Sequence, residues 1–347
     1  MTSTIETIST KKGISLSSAL SKAQDIQDKC HDFMVSSVCN RNCWYNGYSN
    51  SLSFTTDSGE TVVCGFTPYA LSQLCGKVGV HTAYLQKCLE QGFSDLAAEN
   101  LNAWMDEYKK NLFIREYDGN IRGVLSDRYA VMDAPDVLDV CCDTFGTKDY
   151  VVRGMLVNPE RLHMRVVQKN MLKVDGEDLF AGITIDSSDV GRSTLIVRFF
   201  IYKQVCTNGM CISEGFGDIY VQRHRGLTKK EFSTDLVANL GRVPELTEQV
   251  IEMIKCANGY DKSLIDFNKF NEDKQERFKS RIRALTRLPE DGVAKVIDTM
   301  YNNYSVSRWG FINSLTEVAQ DYTLERRLEL ERVAGDILFH GNQLLVA

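Results

Sequence analysis

The stretch Leu195–Tyr202 limits the architecture more than any other part of the chain. It reads Leu-Ile-Val-Arg-Phe-Phe-Ile-Tyr, β-branched and aromatic enough to demand a strand, with Arg198 and Lys203 breaking the apolar run. Thr207-Asn208-Gly209 follows as turn chemistry, because Asn and Gly tolerate the positive φ of a tight reversal. Phe216 to Arg225 predicts a second strand that ends on Arg223, His224 and Arg225. The 347 residues leave ample chain to wrap around such a sheet and bury a sizeable core.

The rest of the chain sorts by hydrophobic period. Residues 1–17 are rich in Ser and Thr and are expected to be a disordered lead. Region 18–112 opens with Leu20, Ala23, Ile26, Cys30, Phe33 and Met34 at helical spacing, which predicts a helix from Ser18 to Val38. Ser51–Thr56 and Glu60–Gly65 read as a hairpin. Thr67-Pro68 is a helix start, Gly79-Val80 a corner, and Thr82–Leu89 a resumed helix, the pattern of a helix-turn-helix. A further helix runs from Ser94 to Lys110.

Region 113–240 is the expected β-rich core. It begins with a hairpin turning at Asp118-Gly119-Asn120 and a helix opened by Asp133-Ala134-Pro135-Asp136. Val151–Val157 and Leu162–Val167 are strands, the second with Arg161, His163 and Arg165 on one face. Region 241–347 is helical: Leu246–Asn258, Phe267–Leu288, Pro289–Tyr301 and one long helix from Val306 to Phe339. Its Glu/Arg pairs between Glu325 and Arg332 read as a solvated face. Helical, then β-rich, then helical is an α+β order: a central antiparallel β-rich core flanked by an N-terminal helical and hairpin region and a C-terminal helical region.

Charge narrows the functional classes. The formal net charge is −6, yet residues 151–230 hold twelve Lys and Arg against eight Asp and Glu, so the basic block coincides with the strand-rich centre. No apolar run approaches the roughly 20 residues of a membrane span, so no membrane partner is expected. The first residues lack the basic and then apolar order of a signal peptide, and eleven scattered cysteines suit reduced thiols in a cytoplasm. No phosphate loop and no His-Glu-x-x-His is present. Cys39 and Cys43, with His31, Cys64 or His81 nearby in sequence, make only one close pair where zinc sites usually present two. A Cys206–His224 pair lacks a third orienting group. No catalytic residue, metal or cofactor is therefore expected, and a binding protein is the favoured class over an enzyme.

The binding reading rests on Arg128, Arg153, Arg161, Arg165, Arg192, Arg198, Lys203, Asn208, Arg223, His224 and Arg225 as phosphate contacts, with Phe200, Tyr202 and Tyr220 as stacking platforms. Phe199 shares a face with Leu195 and Val197 and is expected in the core. The expected partner is single-stranded DNA, with a homo-oligomer as the working form. The alternatives are a duplex regulator acting through Pro68–Leu89 and an inhibitor of a host defence protein.

Four segments, taken in order, carry a resemblance. They are Val124-Leu125-Ser126-Asp127-Arg128-Tyr129, Gln204-Val205-Cys206-Thr207-Asn208-Gly209, Gln222-Arg223-His224-Arg225 and Trp309-Gly310-Phe311-Ile312-Asn313-Ser314-Leu315-Thr316-Glu317. Together they resemble the phage- and plasmid-borne "domain of unknown function 932" proteins over roughly Phe66 to Leu338. Lys203-Gln204 stands where an arginine commonly precedes the Val-Cys pair. The resemblance implies a mobile-element origin and a bacterial cytoplasm, and it carries no settled activity. Single-strand annealing is an inference from the basic, β-rich centre in that setting.

Overall fold

The computed structural model describes residues 6–39, 41–145, 150–203, 208–211, 218–224, 226, 228–259 and 266–344. The chain starts with β1 (Glu6–Ile14) and α1 (Leu16–Gln27), followed by β2 (Cys30–Val35), β3 (Cys43–Asn46), β4 (Ser51–Thr55) and β5 (Thr61–Phe66). Helices α2 (Pro68–Val78), α3 (Thr82–Glu90) and α4 (Ser94–Tyr108) lead to β6 (Leu112–Tyr117), β7 (Asn120–Leu125) and α5 (Ala134–Phe145). Next come β8 (Tyr150–Asn158), β9 (Arg161–Val174), β10 (Glu177–Ser187), β11 (Leu195–Lys203), β12 (Asn208–Cys211) and β13 (Asp218–Gln222). The C-terminal helices are α6 (Lys229–Leu240), α7 (Val243–Gly259), α8 (Glu272–Thr286), α9 (Glu290–Asn303), α10 (Arg308–Val318) and α11 (Leu324–Leu344).

Two sheets make this an α+β protein. One has six strands in the order β2-β6-β7-β5-β4-β3 and the other seven, β1-β8-β9-β10-β11-β12 with β13 also on β11. In the first sheet only β5 and β7 run parallel, joined by the crossover that contains α2 to α4. β3 alternates cleanly, Cys43 and Tyr45 inward and Trp44 and Asn46 outward, so one face packs on helices and the other meets solvent. The second sheet is antiparallel throughout. Leu195, Val197 and Phe199 join the core on one of its faces together with Phe232, Phe278 and Phe311 from the C-terminal helices.

The two helices and the glycine corner between them form as the sequence predicts. Thr67 caps α2 by accepting from the Ala70 amide, Gly79 takes φ +83°, and Val80 is buried in the corner. The hairpin of β6 and β7 also forms, through Asp118 and Gly119 at positive φ, but it belongs to the first sheet rather than to the β-rich core of region 113–240.

Several expectations differ from the fold. Residues 6–14, placed by composition in a disordered lead, pair with β8, because an edge of the second sheet is open to them. The helix predicted over 18–38 ends at Gln27, and Cys30–Val35 pairs with β6 instead, a tertiary contact overriding an ambiguous apolar spacing. Asn208 and Gly209, read as a turn, are paired with Lys203 and Tyr202 as part of β12; residues 204–207 lie outside the described residues. β10 lies between β9 and β11 and was not foreseen, since a strand buried on both faces loses its alternation. The long helix of 306–339 breaks at a 3-10 turn over Ala319–Asp321. Unbroken it would run about 50 Å; the break lets α10 and α11 pack on each other.

Candidate functional site

A cavity of about 420 Å³ lies where the two sheets meet. Its wall is built from Leu125, Ser126, Arg128 and Tyr129 after β7, from Gly191 to Thr194 between β10 and β11, from Arg223 and His224 after β13, and from Lys77 of α2. Two of the four segments that carry the family resemblance therefore contribute to one pocket.

Local hydrogen bonds lock these pieces together. Gln73 of α2 donates from Nε2 to the Val190 carbonyl at 2.8 Å and accepts from the Val124 amide at 2.9 Å, tying helix, strand end and connection into one unit. Tyr129 donates its hydroxyl to the Ser188 carbonyl at 2.9 Å, and Ser188 Oγ accepts from the Arg192 amide at 2.9 Å. The Ala130 amide donates to the His224 carbonyl at 3.1 Å. Gly191 makes the sharp bend with φ +76°, and a Cβ there would stand 3.1 Å from Leu125 Cδ2. Gly191→Val is expected to cost about 1–3 kcal/mol, more than Gly191→Ala, because a β-branched residue is strained at that φ. Thermal melts of the two variants check this; equal melting temperatures would mean that the bend tolerates a side chain.

The pocket is electropositive and carries unspent hydrogen-bonding groups. Arg128 and Arg223 are exposed and make no ion pair among the described residues. Arg192 lies over the Tyr69 ring at 4.7 Å and pairs with Glu160 at 2.9 Å, an exposed contact of the kind that contributes only about 0–1 kcal/mol and opens readily. Burial lowers the Lys77 pKa, partly offset by Asp127. His224 is 6% exposed, and neither ring nitrogen has a hydrogen-bond partner. Its ring stacks on Tyr129 at 5.2 Å and 14°, and Tyr129 stacks in turn on Phe113 at 6.5 Å. Burial holds the His224 pKa below the usual histidine value despite the nearby Ala130 backbone and the Asp133 charge, which favours the neutral imidazole. Ser193 Oγ is likewise buried without a partner.

Behind the pocket lies a buried charge network. Arg115, fully buried on β6, donates to Asp133 at 2.6 Å through both terminal nitrogens, to Asp32 at 2.8 and 2.9 Å, and to the Asp189 carbonyl at 2.7 Å. Burial alone would lower its pKa, but Asp133 and Asp32 reverse this and hold it above the ordinary arginine value. Arg122 on β7 reaches the Pro159 carbonyl and stands 3.5 Å from the Asp189 carboxylate. That distance does not offset burial and the Asp133 charge, which push the Asp189 carboxyl up to about 7. These bonds join the first sheet to the connection that carries Gly191.

Of the residues predicted as phosphate contacts, Arg128, Arg192, Arg223 and His224 converge on the pocket. Three others are taken up inside the protein and are corrections. Arg198 is buried beside Asp186 at 3.5 Å, and Arg161 pairs with the same carboxylate at 3.1 Å together with His163 at 3.0 Å. Burial pushes the Asp186 carboxyl up, but the His163 and Arg161 charges outweigh it and hold it well below the usual carboxylate range. Arg165 is buried against Glu331 of α11 and lies over Phe200 at 5.8 Å. Glu331 is fully buried and also accepts from Arg327 at 2.9 Å, so the charged helix read as a solvated face turns one carboxylate into the core. Arg153 is half-buried on β8, away from the pocket lining.

The stacking expectation also needs correction. Phe200 is fully buried with Val167 and Phe180, and Tyr220 is buried with its ring 5.4 Å from Phe232. Tyr220 joins the main core with Phe232 of α6, and Phe200 lies beneath Arg165, which pairs with Glu331 of α11. Phe199 is buried, as predicted. Tyr202, Lys203 and Asn208 are described as backbone in β11 and β12, whereas Arg225 and Cys206 lie outside the described residues. Lys77, Gln73, Asp189 and Ser193 were not singled out from the sequence. The glycine bend at 191 and the polar run Ser187-Ser188-Asp189 before it were the available signals. Among the described residues no group of three His, Cys, Asp or Glu side chains is placed to hold a metal, and no helix is long and apolar enough to cross a membrane.

The profile of the family described as Domain of unknown function (DUF932) matches residues 122–334. No curated protein and no solved structure matches the chain.

Proposed function

Starting from a chain that belongs to the Domain of unknown function (DUF932) family, we propose that it binds single-stranded nucleic acid through the pocket between its sheets. The observation that carries this reading is the convergence of Lys77, Arg128, Arg192 and Arg223 on one cavity. Cations held around a concave site concentrate potential and attract phosphate, and their neutralisation releases counterions. A cavity of about 420 Å³ falls within the range that holds a small ligand, which suits one nucleotide of a strand better than a duplex. On this reading the protein is of phage or plasmid origin, works on single-stranded DNA in the bacterial cytoplasm during recombination or replication, and acts without chemistry of its own.

The helix-turn-helix alternative has less support. Gln73 and Lys77 commit part of α2 to the pocket, and α3 buries Leu85 and Cys88 while presenting Tyr84, Gln86 and Lys87 outward. That outer face offers a single cation.

Fluorescence anisotropy with a labelled oligonucleotide tests the proposal. Single strands lose about 0.7 in the log-log salt slope per neutralised phosphate, so contacts by several of the four cations should give a slope of about −2 to −3. Absence of binding at low salt, or binding indifferent to salt, removes it.

A further inference from the structure

We infer that this pocket takes a phosphomonoester, the phosphorylated end of a single strand, rather than an internal phosphodiester; the inference rests on the nucleic-acid reading above. Three observations carry it. The first is how the positive charge is distributed. Lys77, Arg128, Arg192 and Arg223 come from four separate stretches of chain and surround one cavity. A surface that follows a strand needs cations spaced along a track, one for each singly charged diester. The cations that would extend such a track through the central block, Arg161, Arg165 and Arg198, are held by Asp186 and Glu331 instead. These three arginines are therefore withdrawn from such a track, while the pocket keeps four cations around one cavity.

The second observation is the donor inventory. His224 lines the pocket while 6% exposed, with both ring nitrogens unpartnered, and Ser193 adds a buried hydroxyl with no partner. Buried polar atoms are normally satisfied, so unpartnered groups in residues that line a cavity mark where a ligand supplies the missing partner. A neutral imidazole donates one N–H and a serine hydroxyl donates one O–H. A terminal phosphate presents three free oxygens and about −1.5 to −2 charges at neutral pH, whereas a diester offers two oxygens and one charge. Several cations with two extra donors match the former.

Third, the nearby carboxylates do not cancel this field. Asp133 and Asp32 are bonded to Arg115, burial keeps the Asp189 carboxyl largely protonated below about 7, Asp127 beside Lys77 accepts a hydrogen bond from Asn111, and Glu160 meets Arg192 in an exposed pair.

The test compares labelled strands of about 20 nucleotides, longer than the 4–16 a single binding fold covers, that differ only at their ends. One carries a 5′-phosphate, one a 3′-phosphate, one hydroxyls at both ends, and one is a closed circle. Deoxyadenosine monophosphate and inorganic phosphate serve as competitors. One phosphorylated end is expected to bind at least about tenfold tighter than hydroxyl ends or the circle, as one added charge-assisted contact would give. Arg128→Gln, an exposed change, should shrink that preference to within about threefold while the melting temperature stays put. Equal binding of all four strands overturns the end-recognition inference and leaves nucleic-acid binding standing. Failure of every strand to bind overturns the nucleic-acid reading. If the monophosphates then bind alone, the phosphomonoester site stands for a free nucleotide.

Discussion

Arg128→Glu combined with Arg223→Glu is expected to lower affinity for a single-stranded oligonucleotide by about 100-fold or more at low salt, with the melting temperature unchanged to within about 2 °C. Each arginine can supply a charge-assisted hydrogen bond of about 1.5–3 kcal/mol, so losing two removes about 3–6 kcal/mol before the new repulsion is counted. Stability is spared because both side chains are exposed and unpaired among the described residues. Arg198→Glu makes the informative contrast. Its side chain is buried beside Asp186, so the reversal would set two carboxylates together in the interior and unfold the protein rather than empty the pocket. Anisotropy and thermal melts on the same samples separate the two effects. Full binding by the exposed double variant would exclude the pocket as the contact.

Arg115→Met is expected to cost about 3–5 kcal/mol of stability. It keeps the apolar bulk of the stem but leaves Asp133, Asp32 and the Asp189 carbonyl without their shared donor. Adding Asp133→Asn to Arg115→Met should recover part of the loss, because the uncompensated buried charge disappears with it. Denaturant melts would show both steps. A loss under about 1 kcal/mol for the single variant would mean that the two sheets hold together without this bolt. The same network sets the backbone of the 188–191 bend, so a partly folded Arg115→Met should also bind oligonucleotide less tightly than its folded fraction predicts.

The local parts of the fold could be read from the chain. Thr67-Pro68 and Gly79-Val80 specify the start and corner of the α2–α3 pair through capping and positive φ, which depend only on neighbouring residues. Asp118-Gly119 does the same for the β6–β7 turn. The β-branched and aromatic run at 195–202 specifies β11, and the order of elements specifies the α+β class. Of the candidate site, Arg128, Arg192, Arg223 and His224 were visible as polar residues beside strands.

What the chain alone could not decide was the fate of each charge. Arg198 and Arg223 look alike in sequence, two arginines on or next to strands of the same sheet, yet one is neutralised by Asp186 and the other faces a cavity. The difference arises from partners far away in sequence: Glu331 reaches Arg165 across 166 residues, and Gln73 reaches Val190 across 117. Capping and turn preferences act over a few bonds and so leave a trace in the sequence. Coulombic pairing and burial act through space, and only the packing of two sheets and the C-terminal helices determined which cations are spent inside the protein and which remain to meet a ligand.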